Sequence, residues 1–226
     1  MVVVYALIGF ALGAAINALA DALPLHQRIA VPAYLSRRAA PRFRDITVHL
    51  TTAALFAFLW TRYVDKGTLQ IVLASFYSLV LLLVTVTDLE HRLIPDHAIL
   101  PAIVIAALAS PLGFGDRWPF ALLGGVLAFL FFLIAARLGE RVLGSGALGD
   151  GDVKLAAFAG LISGFPQILV GLIVGLTAGG AISILLLITR RVTLRTAIPY
   201  GPYIVIGAFY AMVWGSEAIR WYASSF

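Results

Sequence analysis

Residues 69–96 read LQIVLASFYSLVLLLVTVTDLEHRLIPD. From Leu69 to Thr87, nineteen residues pass without a charge. A bilayer core about 30 Å thick needs about 20 apolar residues in a helix, so this run has the length of one crossing. Asp88 ends it, and Glu90, His91, Arg92 and Asp96 follow within eight residues. The pair Ile94-Pro95 breaks the chain before the next apolar run, and proline is well tolerated at a helix start. The stretch therefore reads as a membrane helix whose charged rim turns into a second helix.

Working outward, the same pattern recurs. Apolar segments cover roughly 2–23, 46–64, 69–87, 97–112, 118–138, 153–164, 167–189 and 199–222. Of 226 residues, 62% are apolar and 12% charged, against about 25% charged in soluble domains. This excludes an ordinary soluble enzyme and a disordered chain. The fold class implied is all-α: a polytopic membrane protein of about eight transmembrane helices in one domain, residues 1–226, with a polar arm at 24–45. The segments at 97–112 and 153–164 are short and follow clusters of carboxylates. They predict short or broken helices around a cytoplasm-facing cavity, because a short crossing needs its polar backbone sheltered by protein or water. The segment at 2–23 lacks a basic start and reads as a retained first span rather than a cleaved signal.

Lys and Arg collect on the cytoplasmic side of membrane proteins. Alternate loops and flanks hold Arg28, Arg37, Arg38, Arg42, Arg44, Arg92, Arg137, Arg141, Lys154, Arg190, Arg191 and Arg195, twelve in all; the other side holds Arg62, Lys66, Arg117 and Arg220. The richer side is assigned to the cytoplasm, with both termini outside. The net charge of +5 then reports topology, not affinity for nucleic acid. Arg42 and Arg44 read as anchors on the inner face. Asn17 reads as a helix–helix contact, Gly171 and Gly175 as a close-packing face, and Tyr200 and Tyr203 as interfacial residues.

With no cysteine, thiolate nucleophiles, disulfides and cysteine-ligated zinc are excluded. His26, His49, His91 and His97 show no close metal spacing, and no metal is expected. Carboxylates are costly at membrane depth and are functional candidates there. Two sites stand out. Asp88 lies at the end of an apolar helix. In Gly146-Ala147-Leu148-Gly149-Asp150-Gly151-Asp152-Val153-Lys154-Leu155, Asp152 opens the next one. The glycines at 146, 149 and 151 suggest positive φ or close approach. A carboxylate at 152 also suits the positive end of a helix dipole. The spacing of a Walker phosphate loop is absent. Two such aspartates facing one another would share a proton. One would act as general base on water and the other as general acid.

These residues resemble the prepilin peptidases (type IV leader peptidases), membrane aspartic proteases of the G-x-G-D class. Asp88 with Ile94-Pro95-Asp96 resembles the family's first catalytic aspartate and its trailing Pro-Asp. Gly149-Asp150-Gly151-Asp152-Val153-Lys154-Leu155 is similar to G-x-G-D-x-K-L and places the second catalytic aspartate at Asp152. Ile198-Pro199-Tyr200-Gly201-Pro202-Tyr203 resembles the late Pro-Phe-Gly-Pro signature, with tyrosine for phenylalanine. Gly13, Asn17 and Leu23-Pro24 are similar to the family's first helix.

The resemblance implies cleavage of the basic leader of type IV prepilins or pseudopilins at the cytoplasmic face of the bacterial inner membrane, with no cofactor for proteolysis. It implies supporting or substrate-binding roles for Gly149, Asp150, Gly151, Lys154, Glu90, Pro95, Asp96, Gly201 and Pro202. Glu90, Asp96 and Asp150 would attract the leader's Lys and Arg. The arm 24–45 stands in place of the family's four-cysteine zinc module. S-adenosylmethionine would serve only if the family's N-methylation is retained, and the residues linked to that activity lie mostly in the shortened region. An archaeal preflagellin peptidase fits less well on span number and the late Gly-Pro. Presenilin-like proteases put tyrosine where Thr87 precedes Asp88. A lipid-headgroup transferase lacks its Ala-Arg after Asp150-Gly151. A cation-coupled transporter or channel would use the same carboxylates to bind ions, but the paired repeats common in such proteins are not evident.

Overall fold

The computed structural model describes residues 1–24, 32, 35, 40, 42–114, 117–143, 148–190 and 199–225. Most of the arm 24–45, with His26, Arg28, Arg37 and Arg38, lies outside them, as do Gly146, Arg191, Arg195 and Ile198. Among the described residues there are eight α-helices and no strand: α1 Val2–Ala22, α2 Phe43–Tyr63, α3 Thr68–His91, α4 Asp96–Phe114, α5 Trp118–Leu143, α6 Asp150–Ser163, α7 Gln167–Ile188 and α8 Gly201–Ala223. Six of them, α1, α3, α4, α5, α7 and α8, are long and apolar enough to cross a membrane. The protein is an all-α polytopic membrane protein. α2 carries Arg44, Asp45, His49 and Arg62 along its length. α6 has 14 residues, about 21 Å at 1.5 Å per residue.

The helices divide into two compact units, Met1–Thr87 and Asp88–Phe226, and the division falls within α3. In the first unit, α1 and α2 pack closely because Gly9 and Gly13 present no side chain. A Cβ on Gly9 would lie 2.5 Å from the Thr52 carbonyl oxygen, and one on Gly13 would lie 2.8 Å from His49 Cα. Asn17 is fully buried and its Nδ2 donates to the Asp45 carbonyl at 3.3 Å, the helix–helix contact expected of it. The α2 entry is a knot of charge. The Arg42 backbone N–H donates to Asp45 Oδ2 at 2.8 Å, the acidic half of a capping box. Arg42 and Arg44 both pair with Asp21 and with Asp45. These two arginines, expected as anchors on the inner face, are bound to carboxylates.

In the second unit α6 lies at the centre, touching α4, α5, α7 and α8. Its Val153, Leu155, Ala156, Phe158, Ala159, Leu161 and Ile162 are all buried. A helix apolar on every side belongs inside a bundle. Gly124 and Gly160 bring α5 and α6 into backbone contact, and Gly171 and Gly207 do the same for α7 and α8. This is the close packing the small residues predict. α4 runs on to Phe114 instead of stopping near 112, with Pro101 and Pro111 inside it. Pro111 cannot donate to the Ala107 carbonyl. The Ser110 hydroxyl takes that carbonyl instead, at 2.8 Å, a substitution that lets a membrane helix carry proline.

Candidate active site

The site is assembled within the second unit from the ends of four helices. Asp88 occupies the last turn of α3 and is 5% exposed. Its Oδ2 accepts the backbone N–H of Gly201 at 3.0 Å. Gly201 is the first residue of α8 and Pro202 the second, so the carboxylate sits at the positive end of that helix. A Cβ on Gly201 would lie 2.6 Å from the same oxygen. Glycine at 201 is thus a steric condition for Asp88 to hold its place.

Asp152 is the third residue of α6 and is 9% exposed. Its Oδ2 accepts the Gly149 N–H at 3.1 Å. Burial pushes the Asp152 carboxyl up to about 6; the Gly149 hydrogen bond opposes this, and the charge of Asp88 adds to it. Each aspartate therefore takes one backbone N–H from the start of a helix, and the charge of one acts on the other. The wet cleft expected around them is nearly closed at these two side chains. Both are packed against the turns at Gly149 and Gly201.

Between the two, Arg92 follows the end of α3; its N–H donates to the Asp88 carbonyl at 2.9 Å and its φ is 53°. Pro95 caps α4, its carbonyl accepting the N–H groups of Ala98 and Ile99 at 3.0 Å. Lys154 Nζ reaches Asp96 Oδ1 at 2.6 Å, an ion pair linking the first turns of α6 and α4. Glu90 and Asp150 are exposed. The expected positive φ at the glycines is not found: Gly149 has φ −78° and Gly151 lies within α6, and the positive-φ glycines among the described residues are Gly67 and Gly164. Gly151 answers to close approach instead. A Cβ there would lie 2.9 Å from Ile94 Cβ.

Two residues acquire a place that their local sequence did not suggest. Ile94 is buried against Gly151; its signal was one apolar residue inside a charged turn. Tyr200, expected at the membrane interface, stacks edge-on with Tyr203 and tilts against Phe132. A Cβ on Gly179 would lie 2.9 Å from its ring. Burial pushes its phenol upward, and the charges of Asp152 and Tyr203 add to this. Tyr200 thus belongs to the wall of the site.

The family model described as the type IV leader peptidase family matches residues 75–184, a range that holds both aspartates. The chain is 31% identical over 176 residues to the prepilin leader peptidase/N-methyltransferase of Bacillus subtilis, covering 76% of this chain and 67% of that protein. It is 30% identical to the proteins of the same name from Pseudomonas aeruginosa, over 63% of this chain and 49% of that one, and from Aeromonas salmonicida, over 83% and 64%. No solved structure matches. A helical membrane bundle with two buried aspartates at helix ends defines the class. The chain belongs to the type IV leader peptidase family. It spans from about half to two thirds of the length of these relatives.

Proposed function

We propose that this protein is a membrane aspartic endopeptidase that removes the basic leader of type IV prepilins or pseudopilins at the cytoplasmic face. The observation that carries the reading is the buried pair Asp88 and Asp152, each fixed by a helix-start N–H, with the charge of one felt at the other. Family membership supplies the substrate class. The excess of Lys and Arg on the loops flanking the two aspartates favours the cytoplasmic side of the bacterial inner membrane.

In this mechanism the pair holds one proton. The ionised carboxylate takes a proton from water as the water oxygen bonds to the scissile carbonyl carbon. The protonated carboxyl gives its proton to the carbonyl oxygen. The tetrahedral intermediate then collapses: the C–N bond breaks as the amine takes the proton that came from water, while one hydroxyl of the intermediate returns its proton to the other carboxylate and becomes the new carbonyl, which restores the singly protonated pair. The deciding experiment is leader removal from a model prepilin by wild type, Asp88→Asn and Asp152→Asn. Loss of cleavage in both variants is expected, and wild-type rates in either would refute the dyad.

The named relatives are also methyltransferases. In this chain the arm 24–45 is short and free of cysteine, and S-adenosylmethionine enters only if methylation is retained. Mass analysis of the cleaved pilin after incubation with S-adenosylmethionine decides this.

A further inference from the structure

We propose that Ile94 is a positioning residue that seats on Gly151 and sets the spacing between Asp88 and Asp152. The inference rests on the aspartate-dyad reading above. The turn after α3 has exposed residues at His91, Arg92 and Leu93, then turns inward at Ile94, which is 8% exposed. A Cβ on Gly151 would lie 2.9 Å from Ile94 Cβ and 3.4 Å from both Cγ1 and Cδ1. The isoleucine therefore lies flat along the glycine over its whole length.

The strut is pinned at both ends. On one side the Arg92 N–H holds the Asp88 carbonyl, and on the other Pro95 caps α4 with its ring-locked φ. Gly151 directly precedes Asp152, whose carboxyl is tied back to Gly149. A shift of the first turn of α6 is thus a shift of Asp152. Gly151 is helical, and glycine costs a helix about 1 kcal/mol relative to alanine. Its backbone angles do not require glycine, so the reason for it is the neighbour it receives. A second tie between these turns, Lys154 to Asp96, is partly exposed and weakened by salt. The Ile94 contact is apolar and carries no charge for salt to screen.

The test uses the full-length protein in vesicles with a model prepilin. Gly151→Ala is expected to lower kcat about tenfold or more with KM changed less than about twofold, because sub-ångström misplacement acts on chemistry more than on binding. With Gly151 in place, Ile94→Ala and then Ile94→Gly lower kcat progressively. Combined with Gly151→Ala, Ile94→Ala keeps the Cβ that makes the 2.9 Å contact and restores little, whereas Ile94→Gly removes that atom and restores activity. Losses that simply add in both backgrounds, or a wild-type kcat in Gly151→Ala, overturn the proposal. Thermal unfolding of each variant separates this from misfolding. The chain has no cysteine, so spin labels on E90C and D150C report the spacing of the two turns without activity. Gly151→Ala should shift or broaden that distance distribution and Ile94→Gly should restore it; an unchanged distribution also overturns the strut. If wild type fails to cleave prepilin, the functional reading falls while the labels still decide the spacing.

Discussion

The backbone N–H of Gly201 donates to Oδ2 of Asp88 at 3.0 Å across 113 residues of sequence. The absent side chain of Gly201 is as important as the N–H. A methyl group there would sit 2.6 Å from that oxygen, and the carboxylate, being the movable partner, would swing away. Gly201→Ala should therefore cost catalysis more than stability. A misplacement of about 1 Å can cost about a hundredfold in rate. We expect kcat for leader removal to fall by that order while the melting temperature changes little. Equal losses in both would make Gly201 a folding residue.

Asp152 predicts a pH dependence. Its carboxyl is pushed up to about 6, chiefly by burial. Below that value the folded protein holds a proton that an ordinary carboxyl near 3.8 releases when the chain unfolds. The stability from this group is full below the unfolded value. It falls as pH rises and is lost above about 6. Catalysis should follow the same proton, because a dyad with both members ionised has no acid. The descending limb of kcat/KM is expected near pH 6 and belongs to the pair as a unit. A profile flat from about pH 5 to about pH 8 would count against this.

The Lys154–Asp96 pair makes a prediction of opposite signs. Its side chains are 32% and 53% exposed, so it contributes less than about 1 kcal/mol. Lys154→Met leaves Asp96 uncompensated and should lower KM for a basic leader. Asp96→Asn leaves a cation beside Asp152 and should raise it. Both effects should shrink with added salt. Shifts of KM in the same direction would remove Asp96 from leader recognition.

Membrane character was legible because apolar runs mark lipid thickness. For the same reason it misjudged helix length. α5 continues to Leu143 beyond an apolar run ending near 138, since its last turns need only helix-forming residues and an exposed Arg137–Glu140 pair at 3.5 Å. Asp88 and Asp152 were legible because each places a charge where an apolar helix begins or ends. Their partners were less so. Gly201 and Gly151 stood out as motif glycines, but nothing local to either says that one receives a carboxylate and the other an isoleucine. Gly149 and Gly151 suggested positive φ, whereas contact between distant segments decides the need for glycine at 151.

Asp45 carries a stability prediction for the first unit. Its side chain is 2% exposed and pairs with Arg44 at 3.0 Å and Arg42 at 3.3 Å, while it also accepts the Arg42 backbone N–H. Asparagine would keep the shape but remove the charge that balances Arg44, itself only 14% exposed. Breaking a charged, largely buried contact from one side costs about 2–3 kcal/mol. Asp21, 43% exposed, makes its pairs in solvent, so Asp21→Asn should cost less than about 1 kcal/mol. Unfolding of Asp45→Asn, Arg44→Met and the double variant forms a cycle. The double variant should lose less than the sum of the singles, because the second change removes the charge stranded by the first. Equal costs for Asp21→Asn and Asp45→Asn would show that burial does not set the strength of this knot.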